Sequence, residues 1–175
     1  PTDALVSWLG ALPADGPRGR AIDVACGLGD NAEAIARAGF EVTAFDFAEK
    51  AIQWAKRRFP DSHVDYRVAD LLNAPTEWTG AFDFVHENYT VQALRAEMRQ
   101  NAIPAIANLV APGGTLLVIC RGKDNDEEIE GPPWPLDRKE LSGFQACGLE
   151  QVRFEDYIDQ RDRPIRHFRV EYRKI

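Results

Sequence analysis

Short apolar segments alternate with helix-forming segments along the first 120 residues, and this alternation constrains the fold more than any other feature. A strand–helix–strand repeat produces a mostly parallel sheet with helices on both faces. The most apolar of the strand-like segments is the fifth, so we expect it in the interior of the sheet, where both of its faces are covered. The predicted strands are 20–25, 41–46, 64–69, 82–85 and 115–120.

Two further strand-like segments, 151–158 and 165–172, end the chain and are separated by only about six residues. A connection this short joins antiparallel neighbours. The predicted fold is therefore an α/β, Rossmann-like, doubly wound and mostly parallel seven-stranded sheet with a C-terminal antiparallel hairpin. The chain of 175 residues has the length of one domain, so we predict a single domain over 1–175.

The sequence also makes two predictions about helices. A helical stretch over about 91–110 is expected to break or kink at Pro104, because proline lacks the N–H that the helix needs. Asp137 and Glu140 have the spacing of a capping box, which predicts a helix that begins there and runs toward Ala146.

The first predicted strand leads into a glycine-rich turn, DVACGLGDNA, that opens a helix. Gly27 and Gly29 permit tight backbone geometry, and N–H groups at such a turn face a ligand. The spacing fits the G-x-G-x-x-A pattern of dinucleotide-binding sites, and Asp46, at the end of the second strand, is placed to hold ribose hydroxyls. An NAD(P)-binding oxidoreductase is therefore one interpretation of this turn.

Two other carboxylates favour a different ligand. Asp23 lies inside the first strand, where it would repel a pyrophosphate and attract the ammonium and sulfonium groups of an amino-acid-bearing cofactor. Asp70 follows the third strand, where it could accept a hydrogen bond from an adenine amino group. Each also has a purely structural interpretation, since Asp23 could cap the turn and Asp70 could be the N-cap of a short helix.

Five segments together resemble the ordered motifs of class I S-adenosylmethionine-dependent methyltransferases. They span about residues 20–120 in the family's order and spacing, and the closing hairpin is also characteristic of that fold. One departure is Ala25, where the family often has glycine. The resemblance implies S-adenosyl-L-methionine as the cofactor. The five segments are AIDVACGLGDNA, EVTAFDFAEKAI, VADLL, FDFVHENYTVQAL and LVAPGGTLLVI.

The resemblance also implies a cofactor role for residues at successive strand ends. Asp23, Gly27 and Gly29 would shape the methionine end of the pocket, and Asp46 would take the ribose hydroxyls. Phe47 would lie against adenine, with Asp70 and Leu71 at its edge and face. Glu87 would lie where the methionine end meets the substrate. The full predicted set is Asp23, Ala25, Gly27, Gly29, Asp46, Phe47, Asp70, Leu71 and Glu87.

Substrate-binding residues are expected at the carboxyl end of the fourth strand, where Glu87, Asn88 and Tyr89 are predicted to follow it. Glu87 or His86 could act as a base and Tyr89 could line the pocket, although His86 and Tyr89 also suit ordinary packing. The sequence therefore assigns no catalytic residue.

The loop over 131–136 is also expected to contribute to the substrate site. Its three prolines make it stiff, and Trp134 offers a large flat apolar surface. This run is similar to a stretch in the thiopurine and thiol methyltransferase branch. The alternative is a rigid loop with Trp134 packed on the core. The acidic run 124–130 is interpreted as a solvated loop.

Charge and composition narrow the partners. A formal net charge of −7 argues against a nucleic-acid partner. No apolar run approaches the roughly 18 residues of a membrane helix, and no ligand spacing indicates a metal site. Three widely spaced cysteines favour a reducing, cytoplasmic setting. The oligomeric state stays open, and because the chain opens at Pro1, we expect that an N-terminal lid segment is absent.

The sequence therefore predicts an S-adenosylmethionine-dependent methyltransferase that acts on a small-molecule nucleophile. A thiol, another soft heteroatom or a small aromatic acceptor is the expected substrate type. Two alternatives stay open at this point: the Rossmann-type NAD(P)-binding oxidoreductase, and a non-catalytic module that only binds the cofactor.

Overall fold

A computed structural model describes residues 1–16, 18–125, 127–160 and 162–175. Within them the strands are β1 Arg20–Val24, β2 Glu41–Asp46, β3 Asp65–Val68, β4 Phe82–Asn88, β5 Val110–Arg121, β6 Leu149–Ile158 and β7 Arg166–Lys174. The α-helices are α1 Asp3–Gly10, α2 Asp30–Arg37, α3 Glu49–Arg58, α4 Ala96–Leu109, α5 Arg138–Leu141 and α6 Gly143–Ala146. Short 3₁₀ turns occupy Leu71–Asn73, Thr76–Trp78 and Val91–Ala93.

The seven strands form one sheet in the order β3-β2-β1-β4-β5-β7-β6. The first five strands pair in parallel, whereas β7 runs antiparallel to both of its neighbours, β5 and β6. This arrangement confirms the predicted mostly parallel sheet and its C-terminal hairpin. It also confirms the interior position of β5, which pairs with β4 on one side and β7 on the other.

Each face of the sheet has its own apolar core. Residues such as Ile22 and Val118 pack with Ile106 of α4 and Phe144 of α6. The other face packs with α1, α2 and α3, and there Trp8 stacks on Phe84 with ring centroids 4.7 Å apart. Because neighbouring strand residues point to opposite faces, each central strand contributes side chains to both cores.

The structure corrects two of the predicted boundaries. Strand β4 does not end at Val85, because His86, Glu87 and Asn88 continue its pairing with β5. These polar residues looked like a loop only because the strands that bury them are remote in sequence. Helix α4 starts at Ala96, later than predicted, and it continues through Pro104 without the break that was one of the two outcomes expected there.

The capping box before α5 is confirmed. The Glu140 N–H donates to Asp137 Oδ1 at 2.8 Å, and the Asp137 N–H donates to Glu140 Oε2 at 3.1 Å. The helix expected to run from there to Ala146 is divided into α5 and α6, which meet at Ser142.

The glycine-rich turn between β1 and α2 has a left-handed backbone at three positions. The φ angles are +50° at Ala25, +54° at Gly27 and +88° at Gly29. A β-carbon at Gly29 would lie 2.4 Å from the hydroxyl oxygen of Tyr66, which bonds Glu33 Oε1 at 2.8 Å, whereas at Gly27 it would meet nothing within 4 Å. Gly29 is therefore required for close packing as well as backbone conformation, and Gly27 for conformation alone.

This difference predicts unequal costs for two matched substitutions. Gly27→Ala should lower the free energy of unfolding by about 1–2 kcal/mol through backbone strain alone. Gly29→Ala should lower it by a further 1–3 kcal/mol, roughly, because the buried Tyr66 ring must move. Urea unfolding of both variants measures the difference, and equal destabilisation would contradict the packing role of Gly29.

Candidate functional site

A cavity of about 460 Å³ opens at the carboxyl ends of β2 and β3, beside α4. Its volume lies in the ~300–1,000 Å³ range of small-molecule sites. Five of the residues predicted to bind the cofactor line it together: Ala25, Asp46, Phe47, Asp70 and Leu71. Gly27, Gly29, Asp23 and Glu87 do not line this cavity.

Asp46 connects the glycine-rich turn to the end of β2. Its Oδ2 accepts a hydrogen bond from the Gly27 N–H at 3.0 Å, and its Oδ1 accepts one from the Ala48 N–H at 2.8 Å. A carboxylate oxygen can accept more than one hydrogen bond, so both oxygens can also receive ligand hydroxyls. The neighbouring Phe47 ring is 77% exposed, which leaves a flat apolar surface at the cavity.

Asp70 caps the 3₁₀ turn Leu71–Asn73. Its Oδ1 accepts from the Leu72 N–H at 2.9 Å and its Oδ2 from the Asn73 side-chain amide at 2.7 Å. The structural interpretation of Asp70 is therefore confirmed. The same residue also lines the cavity, and its contact with adenine stays a prediction.

Asp23 has a partner that sequence reasoning did not identify. Asp23 Oδ1 and His86 Nδ1 are 2.7 Å apart, and both side chains are buried on the face that α1, α2 and α3 cover. Asp23 therefore does not cap the turn. The relevant signal is register, since Asp23 and His86 lie opposite each other on β1 and β4. Complete burial argues against His86 as a base that contacts an acceptor.

Buried polar atoms without hydrogen-bond partners collect at this end of the sheet. Among the residues that the structure describes, they include Asp23 Oδ2, His86 Nε2 and Glu87 Oε2. Burial, together with the nearby carboxylates of Asp23 and Asp46, raises the pKa of the Cys26 thiol in the adjoining turn. The two carboxylates therefore place this turn in a negative electrostatic field. Such a field favours a positively charged ligand group.

Glu87 lies inside β4 and faces the α4 side of the sheet. It is fully buried, and its Oε1 accepts hydrogen bonds from the Thr90 N–H at 2.6 Å and the Val91 N–H at 3.1 Å. Burial raises the pKa of Glu87 to about 7. Its contacts hold the turn that follows β4, and it does not line the cavity that contains the other predicted cofactor residues.

Tyr89 and Trp134, the other two predicted substrate residues, line separate cavities. Tyr89 borders one of about 210 Å³ that it shares with His167. Trp134 borders one of about 490 Å³, and its backbone N–H donates to the Gln92 carbonyl at 2.9 Å. The two residues therefore do not border a common cavity.

The remaining predictions concern the acidic loop, the cysteines and metals. The described residues of the run 124–130 are exposed, in agreement with a solvated loop, and Asp126 lies outside the described residues. Cys26, Cys120 and Cys147 are free thiols. Across the described ranges we find no group of three potential metal ligands, and no helix there has the length and apolarity to cross a bilayer.

The raised pKa of Glu87 predicts a pH-dependent stability. The native carboxyl keeps its proton up to about pH 7, whereas the unfolded carboxyl loses it near its ordinary pKa of 4.5. The free energy of unfolding should therefore fall as pH rises through this interval, by about 3 kcal/mol in total. Glu87→Gln cannot ionise and should lack this contribution.

Urea unfolding of wild type and Glu87→Gln across pH 4.5 to 7 measures this effect. The variant should gain stability relative to wild type as pH rises, whereas the control Glu150→Gln, at an exposed position on β6, should follow wild type. Parallel pH curves for wild type and Glu87→Gln would show that the Glu87 carboxyl does not cause the loss.

Known proteins that resemble this chain in sequence, and known proteins that resemble it in fold, both include methyltransferases. A family model described as "Methyltransferase domain" matches residues 21–114. The chain is 36% identical over 104 residues to a ubiquinone biosynthesis O-methyltransferase of Xanthomonas campestris pv. campestris strain B100. That alignment covers 58% of this chain and 43% of the relative, so the chain spans less than half of the relative's length.

Two solved structures show the likeness in fold. An S-adenosylmethionine-dependent methyltransferase of Methanosarcina mazei superposes with a TM-score of 0.78 at 17% identity, covering 95% of each chain. Magnesium protoporphyrin IX methyltransferase of Synechocystis PCC 6803, with bound S-adenosylmethionine, gives 0.77 at 19% identity, covering 99% of this chain and 77% of that one. Because the family model covers more than half of the sequence, this chain belongs to the class I S-adenosylmethionine-dependent methyltransferase family.

Proposed function

We propose that the chain binds S-adenosylmethionine and transfers its methyl group to a small-molecule nucleophile. The observation that carries this proposal is the cavity at the carboxyl ends of β2 and β3, which Asp46, Phe47 and Asp70 line together. Asp46 would accept the ribose hydroxyls, Phe47 would stack on adenine, and Asp70 with Leu71 would contact its edge and face. Family membership makes this interpretation stronger than an NAD(P)-dependent oxidoreductase.

The charge around the glycine-rich turn supports a cationic donor. Asp23 keeps one buried carboxylate oxygen without a hydrogen-bond partner within the described residues, close to the end of β1. An ammonium or sulfonium group would compensate this charge, whereas a pyrophosphate would be repelled. The open space beside Gly27 would leave room for the methionine part of the cofactor.

The chemistry of methyl transfer asks little of the protein beyond alignment. When bound, S-adenosylmethionine supplies a methyl group that its sulfonium already activates for in-line displacement. The residues of this chain would fix the ribose at Asp46, hold adenine against Phe47 and exclude water from the reacting atoms. The absence of a serine–histidine–aspartate arrangement among the predicted residues therefore does not argue against an enzyme.

The acceptor class is part of the proposal. A small molecule suits the net charge of −7, which disfavours nucleic acid. The Xanthomonas relative is named an O-methyltransferase, and this favours oxygen over the thiol that the proline-rich loop suggested. The loop around Trp134 borders a cavity of its own and adds no independent support for a thiol.

Ligand binding separates the candidate functions. Calorimetry should detect S-adenosylhomocysteine, the demethylated product, and NADH should bind much more weakly. Protection from thermal unfolding by NADH alone would reverse the ranking. Binding of S-adenosylhomocysteine without methyl transfer to any thiol, phenol or amine in a broad panel would identify a non-catalytic binding module.

Asp46 provides the sharpest residue-level prediction. Asp46→Ala should weaken S-adenosylhomocysteine binding by about 1–3 kcal/mol, roughly 5- to 150-fold in the dissociation constant, because hydrogen bonds to a carboxylate are lost. Asp65→Ala is the matched control. Asp65 is the first residue of β3, at the amino end of this parallel strand and away from the cavity, and it forms an ion pair with Arg67. Unchanged affinity in a folded Asp46→Ala protein would show that Asp46 does not hold the ribose.

A further inference from the structure

A second titratable cluster lies at the carboxyl edge of the sheet, outside the proposed cofactor cavity. The Tyr89 hydroxyl lies 2.9 Å from His167 Nε2. The ring of Tyr157 stacks on the imidazole with centroids 5.6 Å apart, and an Asp159 carboxylate oxygen is 3.8 Å from His167 Nδ1. These four side chains come from the turn after β4, the start of β7 and the end of β6.

Two hydrogen bonds of His167 indicate how the cluster can move a proton. His167 Nδ1 lies 3.0 Å from the Ile165 carbonyl oxygen, which can only accept, so Nδ1 carries a hydrogen. In the neutral imidazole Nε2 is then the acceptor, and Tyr89 donates its hydroxyl proton to it. The nearby Asp159 carboxylate would stabilise the imidazolium that forms if this proton were transferred.

The cluster lines a cavity of about 210 Å³ that also includes Asp3 and Ile119. This is less than the ~300–1,000 Å³ of sites that enclose a whole drug-sized ligand, so it suits the reacting end of an acceptor. Aromatic rings of Tyr89 and Tyr157 flank His167 and would pack against a planar acceptor group.

One turn connects this acceptor cavity to the proposed cofactor cavity. Tyr89 lines the acceptor cavity, and the next residue, Thr90, lines the cofactor cavity. The turn is fixed to three strands, because Tyr89 N–H donates to the Ile119 carbonyl, Thr90 Oγ1 to the Val24 carbonyl, and Thr90 N–H to Glu87. A single turn therefore separates the two cavities, and Tyr89 is the residue of that turn on the side of the smaller one.

We propose that Tyr89 is a catalytic residue that deprotonates a hydroxyl acceptor, with His167 and Asp159 as positioning residues behind it. This inference rests on the proposed methyltransferase function and deepens it by naming the acceptor as a phenol or enol. As the acceptor oxygen forms its bond to the methyl carbon, the carbon–sulfur bond breaks and its electrons return to sulfur. The acceptor proton passes to Tyr89 Oη while the Tyr89 proton passes to His167 Nε2.

The relay matters only for acceptors that hold a proton at neutral pH. A phenol, with a pKa near 10, requires a base, whereas an aromatic thiol is already ionised. The test therefore compares methylation of catechol and thiophenol by the whole chain, with calorimetry of S-adenosylhomocysteine and thermal unfolding run on every variant. The variants are Tyr89→Phe, which keeps the ring, and His167→Gln, with His63→Gln as the matched histidine control near β3.

Both relay variants should lower kcat on catechol by about 10²- to 10⁴-fold, the usual contribution of acid–base catalysis. Their kcat on thiophenol and their affinity for S-adenosylhomocysteine should stay within about threefold of wild type, because neither needs the proton transfer. His63→Gln should match wild type on both acceptors. A merely structural role for Tyr89 would lower both activities together.

The opposing outcomes are distinct. Equal loss on catechol and thiophenol, or no loss in Tyr89→Phe, overturns the relay while leaving the methyltransferase proposal intact. A wild-type protein that binds S-adenosylhomocysteine and methylates thiophenol but not catechol also overturns it. Failure of the wild-type chain to bind S-adenosylhomocysteine overturns the proposed function itself.

Discussion

The carboxylate of Asp46 is the interaction on which the site depends. One oxygen accepts the Gly27 N–H and the other the Ala48 N–H, so a single side chain fixes the glycine-rich turn against the end of β2. The Cys26 N–H also donates to the Phe45 carbonyl at 2.8 Å, so side-chain and backbone bonds together hold a turn with left-handed backbone at Ala25, Gly27 and Gly29. The end of β2 that is held in this way lines the cavity through Phe45, Asp46 and the following Phe47.

Buried polar groups at the ends of β1 and β4 give this edge of the sheet its chemical character. Asp23 and His86 pair on one face, and Glu87 holds the turn after β4 on the other. Unpartnered buried atoms cost stability, and the described part of the chain gathers several of them here. Burial of the apolar cores on the two faces offsets that cost.

Local sequence patterns predicted the features that depend on nearby residues. The capping box at Asp137, the interior strand β5 and the terminal hairpin follow from spacing and hydrophobicity, and all three are confirmed. The sequence predicts too early an end for β4 because His86, Glu87 and Asn88 are polar, and pairing with β1 and β5 reveals them as strand. The sequence predicts a break or a kink at Pro104, and the helix continues through this residue with Ile103 and Ile106 in the core.

The sequence by itself determined the order of strands and helices along the chain. It also placed Asp46 and Asp70 at one edge of the sheet, because the carboxyl ends of parallel strands lie at the same edge. Only the tertiary structure decided the partner of Asp23, the face that Glu87 occupies and the meeting of Tyr89 with His167, which are 78 residues apart. Such contacts depend on the order of the strands within the sheet and on the register between neighbouring strands. A local pattern of residue types does not encode either quantity, since both arise from packing between remote segments.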